Sequence, residues 1–210
     1  MIKTVTMSKH QISDTEIYSL ISDKNWMAIV DLLEAGKLAP NQKAKMPFLG
    51  NQSAYYLLPV IVEAHGILAA QKLLENGANP NQRYEGQTSL HIACESNDHE
   101  AFELLLNAGA DLEQTRSYLE GEGGETALML SAENCDIWAV QALLKKGANP
   151  SAITNKKRQN AVWFATSTSY KTRATERVAV IRSLVEGGCK LVGTELHWPV
   201  FRRDAELVKL

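Results

Sequence analysis

Apolar residues recur along much of the chain in paired blocks, each with the spacing of an amphipathic helix. In the clearest pair, the segment 90–94 carries Leu, Ile, Ala and Cys, and the segment 101–106 carries Ala, Phe and three Leu residues. A polar turn, residues 95–98, follows the first block. Because apolar positions three and four residues apart share one face of a helix, this pattern predicts two short helices joined by a polar turn.

The same pair of blocks is repeated in a fixed register. A Gly-Ala-Asn/Asp-x tetrad occurs at 77–80, 109–112 and 147–150, and a Thr lies 21 residues before the Gly of the last two tetrads. Another copy opens at Thr15, which lies 21 residues before Gly36. Two looser copies open at Ser53 and Asn160 and are closed by Gly77 and Gly188. Thr194 opens the first half of a further copy. Such a period is typical of a repeat array.

Each unit has signals that start and stop its helices. The hydroxyl of the opening Thr can accept a hydrogen bond from an unpaired N–H of the first turn, so Thr15, Thr88 and Thr126 are predicted to cap first helices. A helix commonly ends on a left-handed residue, which Gly adopts at little cost, so Gly109 and its counterparts should end the second helices. Since one helix pair cannot bury both of its apolar faces, neighbouring units should stack to complete the core.

The segment TSLHIACESNDHEAFELLLNAGADLE, residues 88–113, resembles the ankyrin repeat, which opens with Thr-Pro-Leu-His-x-Ala and closes with Leu-Leu-x-x-Gly-Ala-Asp. The resemblance covers about residues 14–210 and implies a β-turn plus two antiparallel helices in each unit. We therefore expect an all-α fold, an ankyrin-repeat solenoid of about five to six helix–turn–helix units with the last unit truncated. After an N-terminal extension, 1–13, the expected units are about 14–36, 53–77, 81–113, 124–150, 158–190 and 193–210.

Departures from the family pattern carry further expectations. Pro59 falls inside a first helix, so a kink or an early end is expected there. Cys135 replaces a Gly of the turn between two helices, which puts the geometry of that turn in doubt, and it is the one cysteine expected to be reachable. Spare residues form three loops, 37–52, 113–125 and 167–173. Loops of this size are either functional or poorly ordered, and neutral drift explains them about as well.

Composition and charge narrow the class of protein. The 210 residues are 45% hydrophobic and 22% charged, which is typical of a folded domain. No window approaches the roughly 20 apolar residues needed to cross a bilayer, and the N-terminus lacks the apolar part of a secretory signal, so we expect a cytoplasmic protein without membrane contact. The formal charge of −2 conceals an acidic segment, 95–140, with eleven acids and the single base Arg116, and a basic segment, 151–210, with eleven bases and five acids.

No constellation of residues typical of an enzyme is found. His91 and His197 occupy the His of the Thr-x-Leu-His opening, where the resemblance implies a structural hydrogen bond, and the other three histidines have no ligand partner at metal-binding spacing. The segment 121–124 lacks the preceding strand and the Lys-Ser/Thr of a phosphate loop. We therefore expect no catalytic residue, no metal and no cofactor. The four tryptophans fall on predicted helices, where core packing is their expected role.

The resemblance also implies where a partner binds. In ankyrin arrays the turn tips and the exposed side of the first helices form a concave face that partners use. Carried over by register, this face contains Tyr84, Glu85, Gln87, Glu95 and Ser96; Glu122, Glu125, Glu133 and Asn134; Lys156, Lys157 and Gln159; Phe201 and Arg202; and Tyr118, if its loop folds inward. The strip is acidic in the centre and basic at one end, which favours a partner with the opposite arrangement of charge.

These features favour a non-enzymatic protein-interaction module, a scaffold, adaptor or inhibitor that is monomeric when free and binds another protein. Because the acidic centre suits a basic target such as a nuclease, a sharper form of this hypothesis is an immunity protein that neutralises a cognate toxin. The alternative is a nucleic-acid-binding protein that uses the basic C-terminal segment, and its binding should then fall steeply with salt. The step from the fold to protein binding is analogy, since one fold hosts many functions.

Overall fold

The structure of the protein is a computed structural model that describes residues 12–45, 53–117, 123–155, 157–167 and 174–190. Helices and short strands follow one another in these ranges as α1 (Asp14–Ser22), α2 (Trp26–Glu34), β1 (Lys43–Lys45), β2 (Ala54–Tyr56), α3 (Leu57–Glu63), α4 (Ile67–Glu75), β3 (Arg83–Tyr84), β4 (Gln87–Thr88), α5 (Ser89–Ser96), α6 (His99–Asn107), β5 (Thr115–Ser117), β6 (Gly123–Thr126), α7 (Ala127–Glu133), α8 (Ile137–Lys145), α9 (Ala161–Ser167) and α10 (Ala174–Glu186). The predicted opening of the last unit at Thr194 lies outside the described residues.

The helices form five consecutive pairs in the described part of the chain, from α1/α2 to α9/α10. First helices stack on one another in the order α3, α5, α7 and α9, and second helices form a parallel row, α2, α4, α6, α8 and α10. The buried side chains of all five pairs belong to one hydrophobic core that runs along the stack. The predicted all-α repeat solenoid is thus confirmed, with short strands added where units join.

The strands form three separate two-stranded antiparallel hairpins, β1–β2, β3–β4 and β5–β6, each between two helix pairs. In the second hairpin, Glu85 (φ 48°) and Gly86 (φ 81°) form the two-residue loop. Positive φ at both positions is the conformation of a type I′ turn, whose twist matches that of the flanking strands. The hairpins also contribute to the core, since Ala44 of β1 is buried in it and Tyr55 and Tyr84 pack against it.

The prediction that Thr caps each first helix is confirmed for Thr88 alone. Its Oγ1 atom accepts a hydrogen bond from the N–H three residues on. Thr126 has the same position before α7, but its hydroxyl makes no cap hydrogen bond. In the first unit the cap is Ser13, and Thr15 lies one residue inside the helix. The prediction is therefore wrong for Thr15 and Thr126.

Pro59 neither kinks nor shortens α3, contrary to the sequence-based expectation. It is the third residue of this helix, and α3 has seven residues, as α7 does. The N–H groups of the first turn have no acceptor inside a helix, so a proline there removes no helical hydrogen bond. Pro59 is also buried, and its ring serves as core surface.

Cys135 keeps the geometry of the turn between α7 and α8 although it replaces a Gly. Its φ of 55° matches the left-handed φ of Lys24, His65 and Asn97 in the equivalent turns of the other units. Its side chain is only 6% exposed, and its Sγ atom lies 4.0 Å from the carbonyl oxygen of Glu133. The prediction that Cys135 is reachable is therefore wrong, because the turn folds the thiol against its own helix end.

Hydrogen bonds between units run along the turns that follow the second helices. A side-chain oxygen of one unit accepts a backbone N–H of the next, each at 2.8 Å: Asn41 from Asn79, Asn81 from Asp111, and Glu113 from Asn149. Because both partners of each bond are held by their own turn, these contacts fix the orientation of successive units. That orientation places the hairpins side by side.

Candidate protein-interaction surface

The hairpins and the exposed residues of the first helices α3, α5 and α7 form one face, which we call the inner face. Neighbouring hairpins contact each other directly. The rings of Tyr55 and Tyr84 meet edge to face, with centroids 4.9 Å apart. The N–H of Ser117 donates to the carbonyl oxygen of Gly86 at 3.1 Å, and a Cβ atom at Gly86 would collide with the Ser117 backbone. A glycine at this position is therefore required for the hairpins to pack so closely.

Arg116, on β5, is the centre of a charged group in the middle of this face. Its guanidinium lies 3.5 Å from the Glu95 carboxylate, and its side chain is only 11% exposed. Burial raises the pKa of Glu133, Arg116 partly offsets this shift, and repulsion from Glu125 and Glu95 adds to it. We call these four residues the carboxylate cluster. With every group ionised, three acids and one base leave it two negative charges in excess.

Two carboxylate or amide oxygens of the inner face are buried without a hydrogen-bond donor among the described residues. They are Oε2 of Glu125, in the carboxylate cluster, and Oε1 of Gln87 on β4. A buried acceptor without a donor costs on the order of 1–3 kcal/mol, and more when it is charged.

Tyr84 and Glu85 place an aromatic ring and a carboxylate at the tip of the second hairpin. Glu85 is exposed, whereas Tyr84 is half-buried against the first hairpin. Burial raises the pKa of Tyr84 to about 12, with smaller contributions from the carboxylates of Glu85 and Glu63. The hydroxyl group therefore stays protonated at neutral pH and can donate a hydrogen bond to a partner.

Two residues predicted to bind a partner make hydrogen bonds within the fold. The hydroxyl of Ser96 donates to the carbonyl oxygen of Ile92 at 2.9 Å within α5. The side-chain amide of Asn134 donates to the carbonyl oxygens of Cys94 and Glu95, which ties the end of α7 to α5. Both side chains already have partners of their own, so they are weaker candidates for binding than the carboxylates beside them.

The remaining predicted residues are placed only in part. Lys157 is exposed in the segment between α8 and α9, and the backbone N–H of Gln159 donates to the Thr154 hydroxyl at 3.0 Å in the same segment. The other predicted residues lie outside the described part of the chain: Tyr118, Glu122, Lys156, Phe201 and Arg202. The structure therefore brings together Glu95, Glu125 and Glu133 from the predicted set.

Sequence reasoning did not assign Arg116 to the site, although its guanidinium pairs with Glu95 and its charge acts on Glu133. The available signal was its charge, because it is the single base among eleven acids in residues 95–140. Its partners are 9 to 21 positions away along the chain and come from α5, β6 and α7. Spacing within one helix or strand could not have shown that they meet.

His91 has the structural role that the resemblance implies, and it also supports the site. The Thr88 N–H donates to its Nδ1 atom at 3.2 Å, and its Nε2 atom lies 3.0 Å from the carbonyl oxygen of Gln114. This pattern puts the proton on Nε2 of a neutral ring. Gln114 directly precedes β5, so His91 fixes the start of the strand that carries Arg116. Burial lowers the pKa of His91 to about 4.

Neither the pattern of a metal site nor that of a membrane-spanning helix occurs among the described residues. Among them, no group of three His, Cys, Asp or Glu side chains is arranged to hold a metal ion. No helix in the described ranges is both long enough and apolar enough to cross a membrane.

Comparison with known proteins identifies the repeats. The family model described as "Ankyrin repeats (3 copies)" matches residues 60–154. The human transient receptor potential cation channel subfamily A member 1 is 38% identical over 91 residues, which are 42% of this chain and 8% of that protein. The mouse B-cell lymphoma 3 protein homolog is 30% identical over 107 residues, 51% of this chain and 21% of that protein. The chain thus matches only a small part of each relative.

A solved structure shows the same fold. The crystal structure of an ankyrin repeat domain from Acinetobacter baumannii AYE superposes with a TM-score of 0.68, over 82% of this chain and 81% of that one, at 21% sequence identity. At this identity the likeness concerns the fold alone. It extends well beyond the 95 residues from 60 to 154 that the family model covers.

Proposed function

Because this chain carries ankyrin repeats, which are protein-interaction modules, we propose that it is a non-enzymatic module that binds a partner protein through its inner face. The observation that carries the proposal is the carboxylate cluster, where Glu95 pairs with the Arg116 guanidinium and the half-buried Glu133 feels the charges of Arg116, Glu125 and Glu95. A charge arrangement that weakens the folded state is best explained by the molecule that it binds.

The cluster favours a partner that presents a lysine or an arginine. Such a cation would neutralise the excess negative charge of the cluster and could donate a hydrogen bond to the Glu95 carboxylate, whose side chain is 53% exposed. Charge complementarity of this kind raises the association rate and excludes wrong partners. Tyr84, half-buried and held by Tyr55, supplies an aromatic anchor on the same face, and aromatic residues are enriched in measured binding hot spots.

Within this class we favour an inhibitor of a basic protein, of which an immunity protein that neutralises a cognate nuclease is one form. The carboxylates of the cluster would then occupy the cationic groups with which the target holds its own phosphate-bearing substrate. Scaffold and adaptor functions need the same surface but no such substrate mimicry. A nucleic-acid-binding protein is the second candidate, supported by the exposed bases Lys157, Arg158 and Lys190.

Affinity capture with matched charge variants tests the proposal. The full chain is immobilised, exposed to extract from cells of its source, and compared with a Glu95→Gln/Glu125→Gln/Glu133→Gln variant. The control is Asp31→Asn/Glu34→Gln/Glu100→Gln, which removes the same three charges from exposed positions on second helices. We expect the wild type and the control to capture the same protein. The amount captured by the cluster variant should be about tenfold lower.

Two outcomes would contradict the proposal. Equal capture by the cluster variant would show that the inner-face carboxylates do not bind the partner. Loss of the captured protein after nuclease treatment would show that nucleic acid mediates the contact, and it would favour the second candidate function. An inhibitor is distinguished from a scaffold by assaying the captured protein with and without an excess of the chain.

A further inference from the structure

The second helices expose large apolar side chains at one position of the repeat. Among the described residues, the large hydrophobic side chains that are exposed are Met27 (57%), Leu68 (41%) and Trp138 (37%). Each is the second residue of its helix, in α2, α4 and α8 respectively. The equivalent residue of α6 is Glu100. The prediction of core packing is therefore wrong for Trp138, because this register position faces outward, away from the first helices.

Trp138 is held in place although it is exposed. Its indole ring stacks on the His99 ring with centroids 4.3 Å apart, and it meets the buried Phe102 ring at 5.3 Å. His99 is in turn fixed by Asp136, whose Oδ2 atom lies 2.6 Å from the imidazole Nε2. An aromatic side chain whose orientation is already fixed loses little conformational entropy when a partner covers it.

A groove runs beside Trp138 between α6 and α8. These two helices pack less closely than α2 and α4 or α8 and α10 do, and the gap has a volume of about 550 Å³. Leu106, Ala142 and Trp138 form its accessible apolar part. The groove is open to solvent along one side, so its shape fits side chains of a peptide segment better than an enclosed small molecule.

The charges of the groove are distributed unevenly. Lys145 and Lys146, both exposed, lie at the C-terminal end of α8, and Glu103 is the acidic residue that lines the groove from α6. On α8 the two lysines are seven and eight residues beyond Trp138, which at 1.5 Å per residue is about 11 Å, or two helical turns. The groove therefore pairs an apolar anchor site with a cationic site two turns away.

We propose that this groove is a second docking site and that it binds an amphipathic helix of a partner protein. The helix would place a leucine or aromatic side chain against Leu106 and Trp138, and a carboxylate about two turns away at Lys145 and Lys146. This partner has the opposite charge to the one proposed for the inner face. The chain would thus hold a basic surface on one side and an acidic helix on the other.

A phage-displayed library of single helices, panned against the full chain, tests the proposal. We expect the enriched helices to carry a leucine or an aromatic residue and an Asp or Glu about seven positions apart. The affinity of a synthetic peptide from this pool should fall by about tenfold in Trp138→Ala and in Lys145→Glu/Lys146→Glu. The lysine variant changes exposed residues only, so it keeps the test valid if the Trp138 variant is unstable.

Two controls locate the effect. Leu68→Ala removes an exposed apolar residue from the same register position outside the groove and should leave the affinity unchanged. The Glu95→Gln/Glu125→Gln/Glu133→Gln variant should bind the peptide as the wild type does, whatever its effect on the inner-face partner. Failure of the inner-face function and failure of the groove can therefore be told apart.

Three results would overturn the groove proposal. The first is that panning enriches no helix, or enriches helices with basic residues in place of the acidic ones. The second is that the peptide binds Trp138→Ala and the lysine variant as tightly as the wild type. The third is that vesicles containing phosphatidylserine, and not the peptides, bind in a manner that depends on Trp138 and the lysines, which would make the groove a membrane-contact surface.

Discussion

The Nε2 atom of His99 lies 2.6 Å from the Oδ2 atom of Asp136, across the junction between the third and fourth helix pairs. One junction earlier, Nδ1 of His65 lies 3.1 Å from Oδ2 of Asp98. In both cases the other carboxylate oxygen accepts an N–H of the first turn of a second helix. Each aspartate therefore caps its own helix and holds the neighbouring unit at the same time, which couples local helix stability to the stacking of units.

The two roles of Asp136 can be separated by substitution. Asp136→Ala removes both the cap and the pair with His99 and should lower the free energy of unfolding by about 1–2 kcal/mol. Asp136→Asn keeps a cap acceptor and should cost less than about 1 kcal/mol, because a half-exposed pair contributes little. Urea unfolding of both variants measures the difference. Equal destabilisation of the two variants would show that Asp136 does not stabilise the fold through the helix cap.

Acidification should destabilise the protein through His91. Its pKa is lowered to about 4 in the folded state, mainly by burial, whereas an unfolded histidine titrates near 6.5. The stabilising effect of a neutral His91 is complete above about pH 6.5 and is lost as the pH falls to 4, by up to about 3 kcal/mol. Comparing the unfolding free energies of the wild type and His91→Asn across this range isolates the effect, since their difference should shrink towards low pH. A constant difference would contradict it.

Glu133→Gln should stabilise the free protein at neutral pH. The pKa of Glu133 is raised, by burial first and by repulsion from Glu125 and Glu95, so the folded state disfavours its ionised form. A carboxyl group whose folded pKa is raised destabilises the fold above that pKa, and the penalty disappears as the pH falls through it. The melting temperature of the variant should therefore exceed that of the wild type at pH 7 and approach it at pH 4. A lower melting temperature at pH 7 would show that Arg116 outweighs the repulsion.

The native protein should resist thiol reagents. Cys94, Cys135 and Cys189 are all buried, and burial raises the pKa of Cys94 to about 12. Since the thiolate is the reactive form, modification should require opening of the structure, and it should be complete only in denaturant. The measurement is the rate of modification by Ellman's reagent in native buffer and in urea. One thiol that reacts at the rate of a free cysteine in native buffer would show that the turn at Cys135 opens.

The sequence predicted the fold correctly at positions where a residue type has a single structural role. The closing glycines, such as Gly109 with φ 78°, end second helices as predicted because the left-handed conformation favours glycine. The Pro59 prediction failed because the sequence did not show how close the helix start lies, and a proline within the first turn costs nothing. The hairpins were foreseen only as β-turns, since strands of two to four residues carry too short a pattern to recognise.

The positions of the candidate site residues within the repeat could be predicted, but the contacts between these residues could not. Glu95, Glu125 and Glu133 were identified by their positions in the repeat, and the structure brings them together. Arg116 lies among them because it is on β5. The start of β5 is held by His91, which is on α5, through the hydrogen bond to the Gln114 carbonyl oxygen. Trp138 shows the opposite failure, because a large apolar residue on a helix was assigned to the core although its register position faces outward.

Photo-crosslinking tests the central claim, binding through the inner face, most directly. A benzoylphenylalanine replaces either Glu85, at the tip of the second hairpin, or Asp31, exposed on α2 in the outer row of second helices. Both variants are expressed in cells of the source and irradiated, and the crosslinked proteins are identified by mass spectrometry. We expect one protein to be crosslinked from position 85 and not from position 31, and to be lost when the three carboxylates of the cluster are replaced by Gln. Crosslinking from position 31 alone, or crosslinking from position 85 that survives those replacements, would contradict the account.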